Sequence, residues 1–114
     1  MATQLRDFTI ERERMDDFVT AWREGIAPLR RQHGFRIRGA WTVPAEDRFI
    51  WLLEADGNEV EFEARDAAYY ASEARTGVRT DPRQWIVAHS SAFLQPVPLG
   101  DHEAATDGGS VPSD

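Results

Sequence analysis

Residues 22–41 read WREGIAPLRRQHGFRIRGAW, and the period of the apolar residues changes from helical to extended inside this stretch. Before Gly34, apolar residues recur at intervals of three and four through about four turns, which predicts an amphipathic helix. The members of this stripe are Met15, Phe18, Val19, Trp22, Ile26 and Leu29. Gly34 can adopt the left-handed conformation that ends many helices, so we expect the helix to stop there.

Two residues inside this helix, Gly25 and Pro28, are poor helix formers. Proline has no backbone donor and crowds the carbonyl four residues earlier, which here belongs to Glu24. We therefore expect a kink or a local break near Pro28. Arg30 and Arg31 follow, and we expect their positive charges beside the last carbonyls of the helix.

After Gly34 the period becomes two, which predicts a strand. One face of it would carry Phe35, Ile37, Gly39, Trp41 and Val43, and the other Arg36, Arg38, Ala40 and Thr42. The two arginines indicate that the second face is partly wet, as at a sheet edge or the rim of a cavity.

Three other segments have strand patterns. Residues 5–11, LRDFTIE, alternate between apolar and polar side chains. Residues 49–55, FIWLLEA, are almost continuously apolar, which predicts a central strand buried on both faces. Residues 89–97 form a weaker candidate that ends in prolines.

A second helix is predicted from a capping pair, Asn58 and Glu61, to about Ala74. Asp81-Pro82 then begins a short helical turn. The order strand, helix, strand, strand, helix, strand is that of an α+β ferredoxin-like fold, with both helices on one face of a four-stranded antiparallel sheet. We expect one domain over residues 1–98 and a disordered acidic tail over residues 99–114.

The other face of such a sheet would be uncovered, and it cannot be polar if residues 49–55 are apolar on both sides. A second copy of the same sheet is the simplest cover, so we expect a homodimer.

Composition excludes several classes of protein. The chain has 114 residues and no cysteine, so disulfides, thiolate metal sites and cysteine nucleophiles are absent. A net charge of −7 disfavours nucleic-acid binding. The first residues, MATQLRDF, lack the apolar core of a signal peptide, and no apolar run approaches the roughly 18 to 20 residues of a membrane span. We expect a soluble, cytoplasmic protein.

The ordered set of segments resembles the NIPSNAP domain of the dimeric alpha-beta barrel superfamily. The resemblance covers about residues 4–97. It is carried by LRDFTI, the helix with Phe18, Trp22, Ile26 and Leu29, and the segments HGFRIRGAWT, FIWLLEA, AAYYAS and DPRQW. It implies a ferredoxin-like subunit that pairs sheet to sheet into a barrel-like homodimer, and for most bacterial members of the family it implies no established activity. It implies no single activity, because related barrels include cofactor-independent monooxygenases, polyketide cyclases, dehydratases and haem-dependent enzymes.

Metal, haem and nucleophile sites are weakly supported. His33 and His89 are the only histidines of the predicted domain, and they are too far apart in sequence to lie on one helix face. Ser90 and Ser91 lack the turn motif of a nucleophilic serine. We therefore predict no metal and no cofactor, with His33 at a helix end.

Aromatic residues are the informative group, with four tryptophans and two tyrosines. They either fill the core and a dimer interface or line a pocket between the helices and the sheet. In the second case we expect a flat, anionic or phenolic ligand to be oriented by Arg38 or His89. The candidate ligand-binding residues are Trp22, Arg38, Trp41, Trp51 and Tyr70, and the candidate proton-transfer residues are Tyr69 and His89.

Three hypotheses follow. The first is a NIPSNAP-type homodimer that binds a small aromatic or polyketide-like molecule of secondary metabolism. The second is a cofactor-independent monooxygenase, cyclase or isomerase that uses the same pocket. The third is a structural dimerising module without a ligand. A pocket with a polar group at its base favours the first two hypotheses, and a barrel filled with tryptophan favours the third.

Overall fold

The computed structural model describes residues 1–100, and these confirm the ferredoxin-like α+β fold. The strands are β1 (Ala2–Ile10), β2 (Arg36–Val43), β3 (Arg48–Ala55) and β4 (Ile86–Leu94). They form one sheet in the order β2-β3-β1-β4, and every neighbouring pair is antiparallel. The strand predicted to be central, β3, lies between β2 and β1, and β2 is an edge strand.

The first helical layer consists of α1 (Met15–Ala21), a π-helical segment (Trp22–Ile26) and α2 (Ala27–Gln32). The disturbance expected near Pro28 therefore occurs as a wide turn just before it, and the helix continues without a break. Gly34 ends it with φ of +88°, as predicted.

The π-helical segment changes which side chains face the sheet. A π-turn contains more residues than an α-turn, so residues four apart stay on one side of the helix. Trp22, Ile26 and Arg30 are consequently all buried, whereas Leu29 is only partly buried. Arg30 lies in the last turn of the helix, as expected, but its side chain is buried and only 1% exposed.

The second layer begins with α3 (Glu59–Ala71), whose predicted capping box is present. The Asn58 side chain accepts a hydrogen bond from the Glu61 amide at 2.9 Å, and the Glu61 side chain accepts one from the Asn58 amide at 2.8 Å. The chain then leaves the helix at Ser72, earlier than predicted, and forms α4 (Glu73–Thr76) and a 3-10 turn (Pro82–Trp85).

Arg38 is the extra residue of a bulge in β2, which corrects the predicted alternation. The register with β3 shifts between Ile37 and Gly39, so Ile37 lies opposite Leu53 but Trp41 lies opposite Ile50. Residues directly opposite one another in an antiparallel pair share a face. Ile37 therefore faces the helices, and Trp41 faces the uncovered side of the sheet.

The uncovered face of the sheet, which we call the open face, mixes apolar side chains with ion pairs. Its apolar members are Leu5, Trp41, Val43, Ile50, Leu52, Ala88, Ala92 and Leu94. Arg48 forms two hydrogen bonds with Asp7, at 3.1 and 2.6 Å. Trp41 is 54% exposed here, which is high for an indole.

Residues 95–100 have no regular secondary structure, and residues 101–114 of the predicted tail lie outside the described residues. Across the part of the chain that is described, no helix is long and apolar enough to cross a membrane.

Candidate functional site

A cavity of about 290 Å³ lies between the helices and the sheet, and we call it the central cavity. Five of the residues singled out from the sequence line it: Trp22, Trp51, Tyr69, Tyr70 and His89. They come from the π-helical segment, β3, α3 and β4, which are distant in sequence. The fold therefore brings most of the predicted aromatic group to one place.

Trp41 and Arg38 do not reach this cavity. The bulge at Arg38 puts Trp41 on the open face, and Arg38 donates a hydrogen bond to Glu54 Oε2 at 3.0 Å. Glu54 is 3% exposed and also accepts hydrogen bonds from Thr3 and Arg36. The expected placement of Trp41 and Arg38 in a pocket under the helices is thus corrected, since one inserted residue exchanges the two faces of a strand.

Edge-to-face aromatic contacts form the apolar wall of the central cavity. The rings of Trp22 and Trp51 lie 5.3 Å apart at 83°, and Phe8 and Phe18 pack at 6.1 Å and 84°. Such contacts hold each ring in one orientation. The indole N–H groups of Trp22 and Trp51 are buried, and within residues 1–100 neither finds a hydrogen-bond acceptor.

Arg6, Arg30 and Asp66 form the inner arginine cluster. Asp66 Oδ1 lies 2.6 Å from Arg30 Nη1 and 3.0 Å from Arg6 Nη2, so two guanidinium groups share one carboxylate oxygen. The Arg30 guanidinium also lies 3.8 Å above the Tyr69 ring. Burial and the neighbouring Arg6 lower the pKa of Arg30, so Asp66 offsets only part of the cost of burying the charged guanidinium.

Arg75, Asp81 and Arg83 form the rim cluster, on the segment that joins α3 to β4. Arg75 is 3% exposed and donates to both carboxylate oxygens of Asp81, at 3.2 and 3.0 Å. Arg83 pairs with the same carboxylate at 3.0 Å and is exposed. Burial acts to raise the pKa of Asp81, but hydrogen bonds from Arg75 and Arg83 lower it well below its usual range.

Tyr70 lies between the two clusters. Its hydroxyl is 3.4 Å from Arg6 Nη1, and its ring is 5.1 Å from the Arg30 guanidinium carbon. The guanidinium carbons of Arg75 and Arg83 are 5.6 and 5.4 Å from the same ring. Four arginines therefore surround one tyrosine at the edge of the central cavity.

The two proposed proton-transfer residues have different surroundings. Tyr69 is fully buried, and burial raises its pKa, although the neighbouring Arg30 and Arg75 act to lower it. It is consequently protonated at neutral pH and suited to donate a hydrogen bond or a proton. His89 lies opposite Phe8, so it faces the helices, but β4 is an edge strand and the residue is exposed.

The arginines are the part of the site that the sequence interpretation missed. Arg6 alternates with Phe8 and Ile10, so its place on the buried face of β1 could have been inferred from the period of two. Arg30 follows Ile26 by four residues, but its burial depends on the π-helical turn. Arg75 and Arg83 carry no periodic signal, because α4 and the 3-10 turn that hold them are only four residues long each.

Other classes of site have little support in the structure. Among residues 1–100, no group of three or more histidine, aspartate or glutamate side chains is placed to hold a metal ion. His33 Nδ1 lies 2.9 Å from the Leu29 carbonyl oxygen, a contact typical of a helix end.

Comparison with known proteins gives similarity in fold alone. No protein-family model matches the chain, and no curated protein matches it either. Several solved structures do match.

NIPSNAP proteins are among these structures. An uncharacterized NIPSNAP domain protein from Burkholderia xenovorans has 17% identity and a TM-score of 0.75, over 88% of this chain and 98% of that one. A NIPSNAP family protein of unknown function from Agrobacterium tumefaciens has 10% identity and a TM-score of 0.77, over 89% and 92%. The fold that the NIPSNAP resemblance implied is therefore confirmed.

A third structure is a putative antibiotic biosynthesis monooxygenase from Nitrosomonas europaea. It has 12% identity and a TM-score of 0.62, over 86% of this chain and all of that one. This chain thus shares its fold with NIPSNAP proteins and with monooxygenase-like proteins.

Proposed function

We propose that the protein binds a small aromatic or polyketide-like molecule in the central cavity. The observation that carries this proposal is a cavity with aromatic walls and several buried polar atoms that have no protein partner. These atoms are Trp22 Nε1, Trp51 Nε1, Arg30 Nε and Arg75 Nε, all on residues that line the cavity.

The energetic argument concerns these unpartnered atoms. A buried donor without an acceptor costs about 1 to 3 kcal/mol, so a native core rarely keeps several of them together without a reason. A flat ligand with oxygen acceptors would contact the aromatic rings and the arginine side chains that line the cavity. Ligand pockets commonly measure roughly 300 to 1,000 Å³, so this cavity suits a molecule of one or two rings.

A homodimer is part of the proposal. The open face carries apolar side chains on all four strands and an indole that is 54% exposed. Pairing of two open faces would bury them, and the Asp7–Arg48 and Glu54–Arg36 ion pairs already satisfy the charges that would be buried with them. Light scattering at micromolar concentration should give twice the 12.9 kDa chain mass, and a single-chain mass contradicts the dimer.

A second candidate is catalysis on the bound molecule without a cofactor. The buried, protonated Tyr69 beside Arg30 favours it, because such a pair can give a proton and stabilise a developing enolate. Tyr69→Phe should then abolish turnover of a ligand while the variant still binds it.

The absence of cysteine fits a reducing cytoplasm, where we place the protein. Polyketide-like ligands would connect it to secondary metabolism.

Tryptophan fluorescence tests the proposed cavity. The probes are one-ring and two-ring aromatic ketones and acids, added to the wild-type protein and to three single variants. Quenching should persist in Trp41→Phe, because that indole is on the open face, and should decrease in Trp22→Phe and Trp51→Phe. Quenching that is lost only in Trp41→Phe would place the ligand on the wrong face. A dimer that binds none of the probes would favour a structural module instead.

A further inference from the structure

The central cavity has an excess of positive charge although the chain as a whole carries −7. Four arginines and one aspartate, Asp66, line it, and the only other titratable side chains among its lining residues are Tyr69, Tyr70 and His89. Lysine and glutamate are absent from that lining set. The excess is therefore a local property of the site, opposite in sign to the rest of the surface.

Burial divides this excess between an inner part and a rim. Arg6, Arg30 and Arg75 are 8%, 1% and 3% exposed, so three guanidinium charges are almost fully removed from water. Asp66 and Asp81 are the carboxylates paired with them. The three buried arginines therefore carry one positive charge more than the two half-buried aspartates that pair with them. Arg83 adds another charge at the mouth, where solvent and salt screen it.

The uncompensated charge is costly in the absence of a ligand. An isolated buried ion costs several kcal/mol even after relaxation, and a shared carboxylate oxygen cannot fully serve two guanidinium groups. The lowered pKa of Arg30 has burial as its first cause and Arg6 as its second, which agrees with this reading. One anion beside Tyr70 would lie within reach of both arginine clusters.

We propose that the ligand is an acid, a monoanion whose carboxylate or ionised enol lies beside Tyr70 between the inner and rim arginine clusters, with its rings against Trp51 and Tyr69. This inference rests on the proposed function, because it assigns the chemical class of the molecule in the same cavity. A single charge is inferred since the buried excess is one. Arg83 at the mouth would attract the anion on its way in.

The test compares matched acids and amides by isothermal titration calorimetry. The probes are benzoate with benzamide and 2-naphthoate with 2-naphthamide, which have nearly equal shapes and differ in charge. Hydrogen bonds to charged groups contribute about 1.5 to 3 kcal/mol, so at least one acid should bind about tenfold or more tightly than its amide. A dianionic probe, 1-naphthyl phosphate, is included, and tighter binding of the phosphate than of either acid would overturn the assignment of a monoanion.

Arg83→Gln is the diagnostic variant because Arg83 is exposed and its loss should not prevent folding. It should weaken binding of the acid by about threefold or more and leave the amide unchanged. Arg79→Gln is the matched control, with the same change of charge on the same segment but outside the cavity lining. It should leave both affinities unchanged.

The outcomes separate this inference from the proposal beneath it. If the amides bind as tightly as their acids, the ligand is not an acid, but the proposal that the central cavity binds an aromatic molecule is retained. If Arg79→Gln weakens the acid as much as Arg83→Gln does, general surface charge explains the preference and the inference fails. If no probe of either kind binds, the proposed function fails together with it.

Discussion

Asp66→Asn should destabilise the protein strongly, although the substitution removes only a charge. Asp66 Oδ1 is the common partner of Arg30 and Arg6, at 2.6 and 3.0 Å. Removing one partner of a buried ion pair costs about 3 to 5 kcal/mol, because the other charge remains buried. The Asp66 side chain is 23% exposed, and water reduces the loss. We therefore expect about 3 kcal/mol, or a fall in Tm on the order of 10 °C.

Equilibrium unfolding in urea measures this effect, with Glu63→Gln as the control. Glu63 is on the same helix and exposed, so its neutralisation should change stability by less than about 0.5 kcal/mol. In an Arg30→Met background Asp66 has only Arg6 to neutralise, and the cost of Asp66→Asn should fall to about half. An Asp66→Asn protein within about 1 kcal/mol of the Glu63→Gln control would refute the buried-charge reasoning.

The same variant should have the opposite effect on binding. Asp66→Asn raises the buried positive excess from one charge to two, so 2-naphthoate should bind more tightly to it than to the wild type. A protein that becomes less stable and yet a better acid binder is hard to explain by general loosening of the fold. Equal or weaker binding of the acid would count against the charge excess as the source of affinity.

Three further predictions concern other parts of the chain. Gly34→Ala should lower the free energy of unfolding by about 1 kcal/mol, since φ is +88° there. Gly25→Ala should raise it by about 0.5 kcal/mol, because the added Cβ would lie at an ordinary 3.6 Å from Val78 Cγ1. Urea unfolding of the two variants measures both changes. The pKa of Asp81 is lowered in the folded state, so this carboxylate stabilises the protein above the unfolded pKa of about 3.9, and the stabilisation is lost as the pH falls below that value. Asp81→Asn should therefore flatten the acid limb of a plot of stability against pH. An unchanged acid limb would assign that limb to other carboxylates. Trp41→Glu should convert the proposed dimer to a monomer in light scattering without loss of helical circular dichroism, and a persisting dimer would place the interface elsewhere.

The fold could be predicted from the sequence because local signals agreed with one another. The period changed at Gly34, the Asn58 capping box was intact, and residues 49–55 were apolar on both faces. Each of these signals depends on a few neighbouring residues. The order of elements then left few topologies to consider.

The candidate site was predicted only in part, and two local irregularities explain the errors at Trp41 and Arg30. The bulge at Arg38 exchanged the faces of β2, which moved Trp41 away from the cavity. The π-helical segment turned Arg30 inward, where a regular helix would favour Leu29. Neither irregularity has a reliable pattern in the sequence, because both depend on packing against distant strands.

A crystal structure of the protein with 2-naphthoate bound tests the location and the chemistry of the site together. We expect the naphthalene rings in the central cavity against Trp51 and Tyr69, with the carboxylate within hydrogen-bonding distance of arginines beside Tyr70. Naphthoate on the open face against Trp41, or in the central cavity with its carboxylate directed away from the arginines, would contradict the proposed acid-binding site.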